Sequence, residues 1–131
     1  MKPYRSSFLK SFQFAISGLK YLFVKERNAR VHAVAAFLAI SAGFIFDVSE
    51  MEWVTIFICI GIVFLTEIFN TAIEELCDKI QPELDPKIKV IKDLSAGAVL
   101  IAAILSLVCG LIIFIPRIYQ LIENYHNAVN G

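Results

Sequence analysis

The chain has 131 residues, 58% of them hydrophobic, and its acids and bases balance to a formal net charge of zero. Soluble domains are usually about 45–50% apolar, so an ordinary soluble domain is excluded and no nucleic-acid partner is expected. Cys59, Cys77 and Cys109 have spacings that suggest neither a disulfide framework nor a zinc site, and they read as small apolar side chains.

Residues 5–25 read as an amphipathic surface helix. Phe8, Phe12, Ala15, Ile16, Leu19, Leu22 and Phe23 recur at helical spacing, with Lys10, Gln13, Ser17 and Lys20 largely between them. The pattern suits a helix lying in the plane of an anionic membrane surface. It also suits a helix packed on protein with solvated bases. Glu26 follows, the only acid among the bases of the first thirty residues. The plain reading pairs it with Arg30 at i,i+4; the sharper one makes it a metal ligand at the mouth of a span. His32 has no second His or Cys beside it, so packing is preferred over ligation.

Three apolar stretches follow, Val31–Phe46, Trp53–Ile73 and Leu94–Ile115. A span needs about 20 residues. The second and third reach that directly. The first reaches it if its helix extends back through Arg30, whose long side chain can snorkel. The expected spans are 29–46, 53–78 and 94–115, in a single domain covering 1–131. Ser49 or Glu50 can cap the second span. Pro82 and Pro86 argue against helix between the second and third. Ser95 to Ala98 read as small residues for close helix packing. Pro116 is expected to end the third span, leaving a polar tail over 117–131. So short a chain leaves little private core, which favours oligomerisation.

Lys2, Arg5, Lys10, Lys20, Lys25, Arg27 and Arg30 crowd the N-terminal thirty residues, and Lys79, Lys87, Lys89 and Lys92 crowd the second connection. Asp47, Glu50 and Glu52 make the first connection acidic. By the positive-inside rule the N-terminus and the 79–92 loop lie in the cytoplasm. No compact apolar region with a small-residue cleavage site opens the chain, so no cleavable signal peptide is expected.

Glu67, Asn70, Glu74 and Asp78 fall on one face of a helix, within an arc of roughly 80°. Like charges at this spacing repel on a bare helix, so a divalent cation or polycation is the natural partner. If the helix enters the hydrocarbon near Trp53, Glu67 lies about 21 Å along it, inside a layer of roughly 30 Å but near its cytoplasmic side. An ionisable group there is costly and suggests function. The structural alternative, a Lys or Arg partner, lacks a basic residue inside any span. No phosphate-binding glycine loop or dinucleotide fingerprint occurs. Acids at the interface suit Mg²⁺ with phosphate oxygens, and a deeper carboxylate can take a proton from a lipid alcohol. Phosphoryl transfer from a soluble nucleotide to a membrane alcohol fits both.

The run Glu67-x-x-Asn70-Thr71-Ala72-Ile73-Glu74-x-x-x-Asp78, with Lys92-Asp93-x-x-Ala96-Gly97-Ala98 and Glu26-Arg27-Asn28-x-Arg30-x-His32, resembles the small prokaryotic integral-membrane diacylglycerol kinase and undecaprenol kinase family over roughly residues 8–116. The resemblance implies an all-α membrane protein, with an in-plane helix before three spans, assembled as a homotrimer with shared active sites. It implies an ATP- and Mg²⁺-dependent lipid kinase in a bacterial inner or plasma membrane. By motif position Glu67 resembles the general base and Glu26 and Glu74 the Mg²⁺ ligands. Lys92 and Asp93 resemble nucleotide contacts, Asp78 a further active-site acid, Asn70 a support of the polar network, and Glu83 a nucleotide-loop acid. Arg30-x-His32 and the Ala-Gly-Ala-Val run lean toward undecaprenol over diacylglycerol as acceptor. The competing class is a small proton-coupled transporter using Glu67, although such an acid usually sits near the midplane.

Overall fold

A computed structural model describes residues 8–83 and 85–130. It contains four helices: α1 (Phe8–Lys25), α2 (Arg27–Ile45), α3 (Glu50–Ile80) and α4 (Pro86–Asn130). The expected start of the first helix at residue 5 lies outside the described residues. Helices α2, α3 and α4 are each long and apolar enough to cross a membrane. They run up, down and up, so the α1–α2 junction, the end of α3 and the start of α4 share one end of the bundle. The most extensive packing is between α3 and α4. Much of the remaining apolar surface is bare, with Phe37, Leu100 and Ile104 exposed. A face of that kind fits lipid or another chain, not water.

Local chemistry sets the breaks. Glu26 is extended (φ −92°, ψ 118°) and separates α1 from α2 without a side-chain cap. Arg30 turns back and donates from Nη1 to the carbonyls of Phe23 and Val24, each at 3.0 Å. These are carbonyls a helix end leaves without partners. Arg30 therefore closes α1 and does not serve as the ion-pair partner of Glu26. α1 is further tied to α3: Tyr21 Oη donates to Glu75 Oε1 at 2.8 Å, Lys25 pairs with the same carboxylate, and the Phe23 and Phe64 rings meet at 5.7 Å.

Asp47, with φ 48°, turns the chain between α2 and α3. Ser49 rather than Glu50 caps α3. Its hydroxyl accepts from Glu52 N, and its own N–H donates to Glu52 Oε2 at 2.7 Å, closing a capping box. At this end of the bundle Val48, Ile56 and Ile113 are buried together against Ala39, Phe46, Trp53 and Phe114. Gly43 is needed here for space, because a Cβ on it would stand 2.6 Å from Trp53 Cη2.

Gln81 leaves the helical region because Pro82 follows it. Pro86 does not prevent helix: it occupies the first position of α4, where a missing N–H costs nothing. Asp85 Oδ1 caps the turn by accepting from Lys87 N at 2.7 Å and Ile88 N at 3.2 Å. Nor does Pro116 end the helix; α4 continues through it to Asn130. Arg117 holds the segment in place. Its guanidinium donates to both oxygens of Glu52, at 2.8 and 2.7 Å, and to the Ile113 carbonyl at 2.8 Å. The two hydrogen bonds from Arg117, followed by those from Ser49, hold the Glu52 carboxyl down at about 2. At 45 residues α4 is about 68 Å long, more than twice a hydrocarbon layer of roughly 30 Å.

Candidate functional site

The polar face predicted on the second span exists, and α3 carries all of it. Glu67 is 2% exposed and is the largest fully buried side chain among the described residues. Its neighbour is His32 of α2, whose Nε2 stands 3.2 Å from Glu67 Oε1. The approach lies off the hydrogen-bond direction, so Oε1 has no hydrogen-bond partner. One turn further along, Thr71 is 5% exposed and its hydroxyl is likewise unpartnered. Native proteins satisfy most buried polar groups. Two unpartnered buried side chains in adjacent turns set this stretch of α3 apart. The sequence favours packing for His32; the structure sets its ring against Glu67 as well, a contact between helices that spacing along the chain does not reveal.

From Asn70 onward the face joins α4. Asn70 Nδ2 donates to Glu74 Oε1 at 3.0 Å. Asn70 Oδ1 accepts from Ser95 Oγ at 2.7 Å. The Ser95 hydroxyl also lies 2.9 Å from the Lys92 carbonyl, so its one proton is shared between two acceptors. Both amide atoms of Asn70 are thereby used, which fixes its orientation and stands Glu74 in one place. Ser95, read as a packing residue, is instead the link between the helices. Its signal in the sequence was its place three residues after Lys92.

Lys92 Nζ donates to Asp78 Oδ1 at 2.9 Å. Lys92 lies just before the apolar run of α4. The hydrogen bond to Asp78 raises its pKa above the ordinary lysine value. Asp78 is exposed and Lys92 only half-buried, so the pair adds little stability.

Glu26 is half-buried at the α1–α2 junction, and its charge and that of Glu74 both act on Glu67. The two acids thus approach the same region from different elements. Among the described residues no three His, Cys, Asp or Glu side chains converge as a metal cage. Mg²⁺ commonly uses one or two carboxylates and takes its remaining ligands from phosphate and water. Glu26, free of any capping bond, and Glu74, held by Asn70 through one oxygen, suit that mode. Two predicted residues are not drawn in. Asp93 pairs with Lys89 one turn back on α4. Glu83 sits exposed in a bend between α3 and α4.

Beside this polar region an apolar cavity of about 500 Å³ runs between α2, α3 and α4. His32 lines it, together with Ala35, Ala39, Val63, Phe64 and Ser106. The imidazole thus stands where an apolar space meets a buried carboxylate.

The family model for prokaryotic diacylglycerol kinase matches residues 13–114. The chain is 41% identical over 111 residues to the undecaprenol kinase of Bacillus subtilis (strain 168), covering 85% of this chain and 90% of that protein. It is 30% identical over 114 residues to a diacylglycerol kinase of Synechocystis sp., covering 86% of this chain and 65% of that longer relative. It is also 30% identical over 100 residues to the diacylglycerol kinase of Escherichia coli (strain K12), covering 76% of this chain and 82% of the relative. The match takes in every element from within α1 to the apolar part of α4, and with it the whole polar face of α3. The chain therefore belongs to the prokaryotic diacylglycerol kinase family.

Proposed function

We propose that this protein is an ATP- and Mg²⁺-dependent kinase of a membrane lipid alcohol, with undecaprenol favoured over diacylglycerol. The observation that carries the reading is Glu67: a buried carboxylate without a hydrogen bond, at the junction of an apolar cavity and the polar end of the bundle. The preference for undecaprenol is supported by the 41% identity to a protein of that name, against 30% for the diacylglycerol kinases.

The geometry supports the following reaction. A lipid alcohol lies with its chain in the apolar cavity and its hydroxyl at the His32 end. Glu67 accepts the hydroxyl proton as the lipid oxygen bonds to the γ-phosphorus and the bond to the β–γ bridging oxygen breaks, releasing ADP. Mg²⁺, when bound, would supply charge neutralisation for the transferring phosphoryl group. Glu26 and Glu74 would hold it, and Asn70 keeps Glu74 in place for that purpose. Lys92, held by Asp78, is the side chain that would meet the phosphates. A positioned base contributes about 10²–10⁴-fold; alignment of alcohol and nucleotide contributes more. The N-terminus and the α3–α4 connection face the cytoplasm, where ATP is found, α1 lies along that membrane surface, and three protomers assemble across the bare apolar faces. A proton-coupled transporter would use Glu67 alone and leave the Asn70–Glu74–Ser95 network without a task.

The test is phosphate transfer from labelled ATP in mixed micelles, with undecaprenol and a diacylglycerol assayed side by side, with and without Mg²⁺. Mg²⁺-dependent transfer with a higher rate on undecaprenol is expected. Absence of transfer to both lipids by folded protein would refute the reading.

A further inference from the structure

We infer that His32 is a positioning residue for Glu67, fixing the carboxylate so that one oxygen is held by the imidazole and the other is presented to the substrate hydroxyl. The inference deepens the proposed kinase reading and rests on it.

A general base must come within about 2.6–3.2 Å of the group whose proton it takes, and a misplacement of about 1 Å can cost about a hundredfold. Glu67 has a flexible side chain and no hydrogen bond of its own to orient it. Among the described residues no Lys or Arg forms an ion pair with it; His32 Nε2, at 3.2 Å, is the one partner of opposite potential charge. His32 belongs to α2, not α3, so the contact spans two helices and reports their spacing. The imidazole is half-buried, with 22% of its side chain exposed, while the Glu67 side chain is 2% exposed.

The direction of approach also matters. The contact is short enough for a hydrogen bond but poorly aligned, a common state of catalytic groups before substrate arrives. A modest tilt of the ring aims Nε2–H at Oε1. Oε2 is then left to take the lipid proton. Because His32 also lines the apolar cavity, an incoming chain presses on the ring that orients the base. The helix surface contains no other imidazole to substitute: His126, the second histidine, lies far along α4.

A histidine that merely packs and one that positions Glu67 make opposite predictions for two substitutions. His32→Leu keeps apolar bulk and removes the donor. His32→Gln keeps a donor near the Nε2 position but packs less well in an apolar setting. Steady-state kinetics of wild type, His32→Leu, His32→Gln and Glu67→Gln, with thermal unfolding in detergent, separate the cases. The expected result is a kcat for His32→Leu lower by about thirtyfold or more, with KM for ATP unchanged within about twofold. His32→Gln recovers most of that kcat even if its Tm is the lower of the two. His32→Leu with wild-type kcat, or His32→Gln less active than His32→Leu, overturns the inference. If Glu67→Gln itself retains full activity, the base assignment fails and the inference falls with it; an inactive Glu67→Gln beside a fully active His32→Leu refutes only the role of His32.

Discussion

Replacing Asn70 by Leu tests whether the α3–α4 network holds the site together. The side chains are close in size, so the change removes polarity more than volume. It deletes the donor to Glu74 at 3.0 Å and the acceptor for Ser95 at 2.7 Å. A hydrogen bond to a charged group contributes about 1.5–3 kcal/mol and a neutral one about 0.5–1.5. Ser95 retains the Lys92 carbonyl as an acceptor at 2.9 Å, so its loss falls at the lower end. Glu74 is only half-buried, and water replaces part of what it loses. The net destabilisation is then about 2 kcal/mol. Activity falls further than stability, because Glu74 is freed from the position in which it is to meet the metal. A tenfold or greater loss of kcat, with a raised Mg²⁺ requirement, is expected. The assay pairs chemical denaturation in micelles with kinetics, for Asn70→Leu, Ser95→Ala and the double variant. The cycle should return a coupling of about 0.5–1.5 kcal/mol between the two side chains. Additive effects, or an Asn70→Leu protein within about 0.5 kcal/mol of wild type and fully active, would show that the network is not what organises the end of the bundle.

Other outcomes follow from other contacts. Gly43→Ala should lower stability by about 1–2 kcal/mol, since overpacking against Trp53 outweighs the gain of about 1 kcal/mol in helix propensity; an unchanged Tm would mean that the Trp53 ring moves freely. Arg117→Met should lower Tm at every pH from 5 to 9, because the Glu52 carboxyl, held at about 2, stays ionised throughout that range. Protonation of Glu52 removes the clamp only as pH falls from its unfolded value toward about 2. A Tm difference between Arg117→Met and wild type that vanishes near neutral pH would contradict this. Lys92→Met should raise KM for ATP by about tenfold with little change in KM for lipid. An equal change in both would place Lys92 outside the nucleotide site.

The membrane spans and the acidic face could be read from local pattern because both depend only on helical period. Apolar runs of span length became α2, α3 and part of α4. Glu67, Asn70, Glu74 and Asp78 share a face simply because α3 is an unbroken helix, and the Asn70–Glu74 bond is an i,i+4 contact. What the pattern concealed depends on which helices touch. His32 and Glu67 lie on different helices, so nothing in the spacing of either revealed the pair. Ser95 looked like one small residue in a row of them until α4 was placed against Asn70. Glu75 lies off the acidic face, and its role as the anchor of α1 appears only with Tyr21 and Lys25 beside it.

Proline misled for a related reason. Local rules give Pro116 as a terminus, but the cost of a proline within a helix is about 3 kcal/mol, a sum that tertiary contacts can offset. Arg117 supplies them by donating to both oxygens of Glu52 on α3. Pro86 was better placed than the sequence reading allowed, because Asp85 caps the turn that it opens.

The most direct test of the account is the rate of phosphate transfer to undecaprenol by Glu67→Gln, measured together with stabilisation of the same protein by ATP and Mg²⁺. The variant keeps the shape of the side chain and removes its capacity to accept a proton. A fall in kcat of about 10²–10⁴-fold is expected, with the nucleotide-induced rise in Tm preserved. Transfer at the wild-type rate would contradict the central claim and leave the buried carboxylate with a different task.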